Sequence, residues 1–478
     1  MMDQNGKSDL GRVRELVGDE RKFLWNPLSN VILVARIRGH VSGKKLQRAI
    51  NKAKKMHPLL SSRVVYDQDN KAWFHNDHVP EIPFRVVEWK SEDQWQEELI
   101  YENRIPFKIF EGPLIRFVLI KSPEVSDLMV FGQHSICDGR GLVYLIRDIL
   151  MHTAEPEREI IQLPIPPMLS SEGLSPYVTS SGSFKESFSK FFKKFMINRM
   201  NKNWHKDMTT FDQEDFENIH RAYWQENEYR IECIELSEEQ TNNLVAKCRK
   251  HHVTVNSALS TAFLAAHHNI SGQFKGKKRN VALPIDLRSR MKVPDVLCLY
   301  ITRVIFKFDY NPKKSFWKNV VKFHKTATKE IKSANLFEPF FTIEQMDPTL
   351  IDAIASFGVL AETVPPDFTR YKKLSTFAHE KKNEAIKLAH RFLKLSPGTV
   401  MTNLGNPNIP DVYGDMKIEK MYFAPSTDER FPLVIGAITS GDKLVTTLNY
   451  VKKSRTQEMK EINEIALNLL SLYLQKNI

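Results

Sequence analysis

The sequence predicts an α+β protein in two halves, with strands and helices mixed in each rather than strictly alternating. Three observations carry that expectation. The chain has 478 residues, enough for two sizeable cores. Strand-like and helix-like apolar periods both occur before residue 150 and again after residue 229. Between them, residues 151–182 hold Pro156, Pro164, Pro166, Pro167 and Pro176 among many serines, without an apolar period, and read as an extended linker. The expected units are residues 1–177 and 178–478, the second opening with a linker and amphipathic helix over 178–224.

In chain order, residues 31–37 are an apolar run that reads as a strand. Ser42 then caps a helix with Leu46, Ile50, Ala53 and Met56 on one face, stopped by His57-Pro58. Short strands follow at 63–66 and 72–75, and residues 91–103 form a polar helix with Trp95 and Leu99 on one side. Residues 114–120 and 128–133 pair as antiparallel strands through a polar turn. Leu142, Val143, Leu145, Ile146, Ile149 and Leu150 give the next helix its apolar face.

Past the linker, Phe184, Phe188, Phe191, Phe192 and Phe195 recur at helical spacing among Lys185, Lys190, Lys193 and Lys194. Such a helix over 184–204 either packs on the protein body with solvated lysines or docks on anionic lipid or a partner. Residues 229–236 alternate as a strand, Ser237 and Gln240 form a capping box, and residues 254–266 are apolar or small almost all round, as in a buried helix. Strands at 280–287 and 300–308 precede helices across much of 313–395, including a long one over 376–394. Strands return at 399–404, 416–424, 432–438 and 443–451, before an amphipathic helix through Met459, Ile462, Ala466 and Leu470.

Composition narrows the function classes. Hydrophobic residues at 42% and charged residues at 26% are those of a soluble globular protein, and no run approaches a membrane span. The first 20 residues lack the apolar core of a signal peptide, so a cytoplasmic location is expected. Cys137, Cys233, Cys248 and Cys298 form no Cys-x-x-Cys pair, which speaks against a metal site or a disulfide framework. The net charge of +12 favours acidic partners, but its lysine clusters are scattered and no nucleic-acid-binding signature is present.

The stretch that can carry chemistry is residues 128–142. Apolar Leu128 to Phe131 runs into Gly132, Gln133 and His134, and Asp138 and Gly139 follow before the helix. A histidine at a strand end with an Asp-Gly turn behind it suits a general base; the same spacing also suits a capping histidine and an ordinary turn. Cys137 in that turn reads as a small buried filler rather than a nucleophile. His57 and His75 read as structural, His57 as a partner for carbonyls at its helix end.

The order His134-x-x-x-Asp138-Gly139 resembles the active-site signature of the chloramphenicol acetyltransferase-like superfamily, which includes condensation domains, alcohol acetyltransferases and polyketide-associated acyltransferases. Gln133 stands where the motif often has a first histidine. Pro284-Ile-Asp-Leu-Arg-Ser-Arg290 is similar to the segment whose arginine pairs with the motif aspartate, which implies Arg288 as partner of Asp138. Thr402-Asn-Leu-Gly-Asn406 is similar to a Ser-Asn-Leu-Gly stretch in a crossover between lobes, which implies Asn403 as a donor to an oxyanion; a plain turn built on Gly405 is the alternative. An Asp-Phe-Gly-Trp-Gly element near the C-terminus is absent, unlike in the plant alcohol-acylating branch.

The resemblance implies a pseudo-dimer of two lobes with the histidine in a tunnel between them. It also implies transfer of an acyl group from a phosphopantetheine thioester, carried by coenzyme A or an acidic carrier protein, to a hydroxyl or amine of a small molecule or lipid. His134 would be the base, Asp138 and Arg288 structural, and Gly139 would let the loop close behind the histidine. No resident cofactor, metal or nucleic acid is expected. The rivals are a stand-alone condensation enzyme forming an amide, and a binding or scaffold protein that keeps the fold without the chemistry. Peripheral membrane contact through 184–204 is a further possibility.

Overall fold

The computed structural model describes residues 11–177, 184–364 and 371–475. Among these, two six-stranded sheets and one three-stranded sheet form the framework. The first large sheet runs, in spatial order, Val412–Tyr413, Met416–Ala424, Asn30–Arg38, Val125–Gln133, Ile115–Lys121 and Phe84–Glu88. Its pairings are antiparallel except the last. Asn30–Arg38 is buried along nearly its whole length, which is why its sequence is a continuous apolar run rather than an alternation. The helix Gly139–Ala154 lies against this strand and packs on Gly43–Met56.

The second large sheet runs Ile301–Lys307, Asn280–Asp286, Thr399–Asn403, Leu433–Ser440, Lys443–Val451 and Tyr229–Glu235. Thr399–Asn403 is parallel to both neighbours, so the sheet is mixed. Val255–Ser271 is the buried helix of this half, packed against Phe316–Ser333 and the terminal helix Thr456–Gln475, whose Met459, Ile462, Ala466 and Leu470 face the core. The small sheet joins Arg12–Leu16, Ala72–His75 and Arg63–Tyr66.

Two features differ from the sequence reading. A cut near residue 177 divides the chain but not the sheets, because Val412–Tyr413 and Met416–Ala424 belong to the first sheet. The expected helix over 376–394 is two helices, Lys372–His379 and Glu384–Leu395. The break follows from Asn383, whose side chain accepts from the Ala385 N–H at 2.9 Å and starts a new helix.

Of the expected linker, the helix before it runs on to Ala154, and a short helix Ser171–Leu174 lies within it. Residues 178–182 lie outside the described residues, as do the side chains of Phe184, Lys185, Phe188, Lys190 and Phe191. Among the described residues no helix is long and apolar enough to cross a membrane.

Candidate active site

His134 follows directly on Val125–Gln133, a strand inside the first sheet, and its own N–H donates to the Ser29 carbonyl at 2.8 Å. Its ring nitrogen Nδ1 lies 2.7 Å from the Cys137 carbonyl. A carbonyl can only accept, so Nδ1 carries the proton and Nε2 is left with its lone pair. The ring stacks on Phe23 with centroids 4.2 Å apart. Burial pushes the His134 pKa below its ordinary value, against the Cys137 hydrogen bond and the Asp138 charge, so the ring is neutral at pH 7.

Gln133 explains how the loop manages without a first histidine. Its Nε2 donates to the Phe23 and Leu24 carbonyls at 2.7 and 3.1 Å, and its Oε1 accepts from the Ser135 N–H at 2.5 Å. One amide therefore fixes both the loop after His134 and the segment that supplies Phe23.

Asp138 is buried, and its carboxylate oxygens bond to groups other than the imidazole. Its Oδ1 caps the helix Gly139–Ala154 by accepting from the Gly141 N–H at 2.8 Å. Its Oδ2 accepts from Arg288 Nη1 and from the Tyr300 N–H, both at 2.8 Å. Burial alone would raise the Asp138 pKa; the Arg288 charge and these hydrogen bonds outweigh it and hold the carboxyl below its ordinary range. Arg288 is equally buried, and its Nη2 donates to the Cys298 carbonyl at 3.0 Å, the same oxygen that accepts the Asp138 N–H at 3.2 Å. The motif loop of the first half is thus clamped by Arg288, Cys298 and Tyr300 of the second.

Gly139 has no left-handed backbone; its value is space. A Cβ there would lie 2.6 Å from Cε2 and Cζ of Phe423 and 3.0 Å from Leu404 Cδ2. Phe423 comes from Met416–Ala424, so the strand crossing from the second half is what demands a glycine. Asn403 ends the strand Thr399–Asn403, and its Oδ1 accepts from the Gly405 N–H at 2.8 Å, with Gly405 at φ +66°. That turn sits against the motif helix, since Arg140 Nη2 donates to the Leu404 carbonyl at 2.8 Å. Cys137 is buried, and burial pushes its thiol well above the usual range, which leaves it unsuited to attack.

His57 does not cap carbonyls. Its Nδ1 accepts from the Leu297 N–H at 3.2 Å, and its Nε2 donates to Asp148 Oδ2 at 3.2 Å. Leu297 precedes the Cys298–Tyr300 clamp, so a second buried histidine anchors the segment that holds Asp138. Neither this tie nor the Phe23 stack nor the Tyr300 N–H was visible in sequence spacing. The signal available for His57 was its position before proline at a helix end.

This α+β arrangement of two mixed sheets flanked by helices is the fold of acyltransferases and condensation domains of known structure. Residues 225–331 match the family described as phthiocerol/phthiodiolone dimycocerosyl transferase C-terminus. Trichothecene 15-O-acetyltransferase TRI3 from Fusarium sporotrichioides superposes with a TM-score of 0.61 at 12% identity, over 95% of this chain and 95% of that one. Polyketide synthase associated protein 5 from Mycobacterium tuberculosis gives 0.58 at 14% identity, over 96% and 98%. The first condensation domain of the CDA synthetase gives 0.58 at 13%, over 97% of each chain. No curated protein matches the sequence significantly.

Proposed function

We propose that the chain is an acyltransferase in which His134 is the general base. The observation that carries this is the 2.7 Å bond from His134 Nδ1 to the Cys137 carbonyl, which leaves Nε2 as the proton acceptor of a neutral, buried ring. Nε2 takes the proton of an acceptor hydroxyl or amine as its oxygen or nitrogen bonds to a thioester carbonyl carbon. The carbonyl electrons move onto oxygen, then return as the carbon–sulfur bond breaks. The thiolate leaves and takes the proton from His134. No covalent enzyme intermediate is required.

The donor is an acyl thioester of a phosphopantetheine arm, as coenzyme A or on a carrier protein; a net charge of +12 suits the acidic character of both. Asp138 and Arg288 hold the loop, and the acceptor oxygens of Asp138 are already taken by Arg288, Gly141 and Tyr300. Asn403 spends its oxygen on the Gly405 N–H, so its Nδ2 is the atom that would donate to the oxyanion.

The test is thiol release from a panel of acyl-coenzyme A donors and acylated carrier proteins, offered pooled alcohols and amines, for wild type and His134→Ala. Acceptor-dependent release by wild type alone is expected. Because burial lowers the His134 pKa, the acid limb of kcat/KM should fall below the ordinary histidine value of 6.5, with activity lost only as pH drops through it. Release only from carrier proteins with amines would assign the condensation reading. Silence of wild type with every donor would leave a fold kept for binding.

A further inference from the structure

The helix Phe184–Trp204 has two different faces among its described residues. From Phe192 onward one face packs on the body: Ile197 and Trp204 are buried, and the Trp204 indole donates to Thr349 Oγ1 at 2.8 Å. The opposite face carries Phe192, Phe195, Arg199 and Lys202, spaced three, four and three residues apart and therefore aligned along one side. No acidic residue occurs between Phe192 and Trp204.

A second helix repeats the pattern. Glu384–Leu395 packs against the first, and Asn383 at its start donates to the Asp207 carbonyl at 3.1 Å, just past the first helix's end. Ala385, Ile386 and Ala389 are its inner face; Lys387, Arg391 and Lys394 are exposed on the outer one. Exposed aromatic and aliphatic side chains stand beside these cations on both helices: Phe192 is 57%, Phe195 55%, Phe392 49% and Leu395 45% accessible. Scattered single apolar residues on a surface need no explanation, but phenylalanines aimed outward from the middle of basic helices do.

We propose that these two helices form a docking surface for an anionic lipid bilayer. The occupant follows from charge and shape together. Cations on long stems reach lipid phosphates and carboxylates while phenylalanine and leucine enter the boundary between headgroups and acyl chains. An acidic protein would be met by the cations alone and would leave the outward phenylalanines without a reason. None of these residues is among the partners of His134, so the proposal does not depend on the chemistry assigned there.

Sedimentation of the full chain with vesicles at physiological ionic strength tests it. Wild type should pellet with phosphatidylcholine vesicles containing phosphatidylserine and stay in solution with phosphatidylcholine alone. Phe192→Ser/Phe195→Ser should weaken binding at least about ten-fold, given about 1.5–3 kcal/mol for burying one such side chain. Lys387→Glu/Arg391→Glu/Lys394→Glu should weaken it comparably, and both variants should melt at the wild-type temperature. Equal pelleting with both vesicle types, no pelleting with either, or variants that bind like wild type would each overturn the proposal. Loss only in the phenylalanine variant would overturn the part assigned to Glu384–Leu395. Self-association abolished by Phe192→Ser/Phe195→Ser, without vesicle binding, would give the face to a second copy instead.

Discussion

Replacing Arg288 with methionine isolates the ion pair that joins the halves at the candidate site. Methionine keeps most of the stem's volume and removes the guanidinium, so the buried Asp138 carboxylate loses the Nη1 bond at 2.8 Å. Breaking a buried pair from one side costs about 3–5 kcal/mol, because the remaining charge stays desolvated. Asp138 retains the N–H groups of Gly141 and Tyr300, which places the expectation at the lower end, about 3 kcal/mol.

The pH dependence fixes the sign. In wild type the Asp138 pKa is held below its ordinary 3.8, so its contribution is full above about pH 4 and is lost as pH falls through the folded value. In Arg288→Met the largest remaining influence is burial, which raises the pKa. The folded variant then binds the proton before the unfolded chain does, and stability falls as pH rises. The gap between wild type and variant should therefore be larger at pH 7 than at pH 5. Urea unfolding followed by tryptophan fluorescence at both pH values measures it. Adding Asp138→Asn to Arg288→Met should recover more than half the loss, since it removes the stranded charge. A loss under about 1 kcal/mol at pH 7, or a gap that widens on acidification, would refute the reasoning.

Gly139→Ala puts a methyl group 2.6 Å from Phe423 Cε2 and Cζ and should cost about 1–3 kcal/mol, with Phe423→Leu restoring part of it in the double variant. Thermal unfolding of the three proteins checks this, and an additive pair would disprove the clash. His57→Leu strands the Leu297 N–H and should cost about 1–3 kcal/mol, whereas His57→Asn places an acceptor near the old Nδ1 and should lose less. Equal losses in chemical denaturation would show that this backbone bond is not the source.

What the sequence made legible is what local chemistry encodes. The Ser237–Gln240 capping box is formed on both sides, and the strands at 63–66 and 72–75 appear as read. The helix break at Asn383 was hidden because the apolar period runs through it; only the cap residue marked it. Partners across the halves were not legible. An apolar period places Met416–Ala424 in a strand but cannot say that it joins Asn30–Arg38 rather than its sequence neighbours. At the site, residue types pointed to His134, Asp138 and Arg288, while the Tyr300 N–H and the Cys137 carbonyl are backbone groups that any residue would supply. Gly139 was read as a turn former, and its reason is a ring from a strand that begins 277 residues later, at Met416.

The crossing strand also sets a schedule for biosynthesis. Asn30–Arg38 pairs with Val125–Gln133 on one side and with Met416–Ala424 on the other. Once Gln133 has left the ribosome, 291 more residues must follow before Ala424 does. At about 5–20 residues per second that is a wait of roughly 15–60 s. For that time the apolar segment Asn30–Arg38 lacks its Met416–Ala424 partner, and an unpaired strand edge is the kind that recruits other chains. The motif helix, for its part, can take up its packing against Phe423 only after that ring has been made, 284 residues after Gly139.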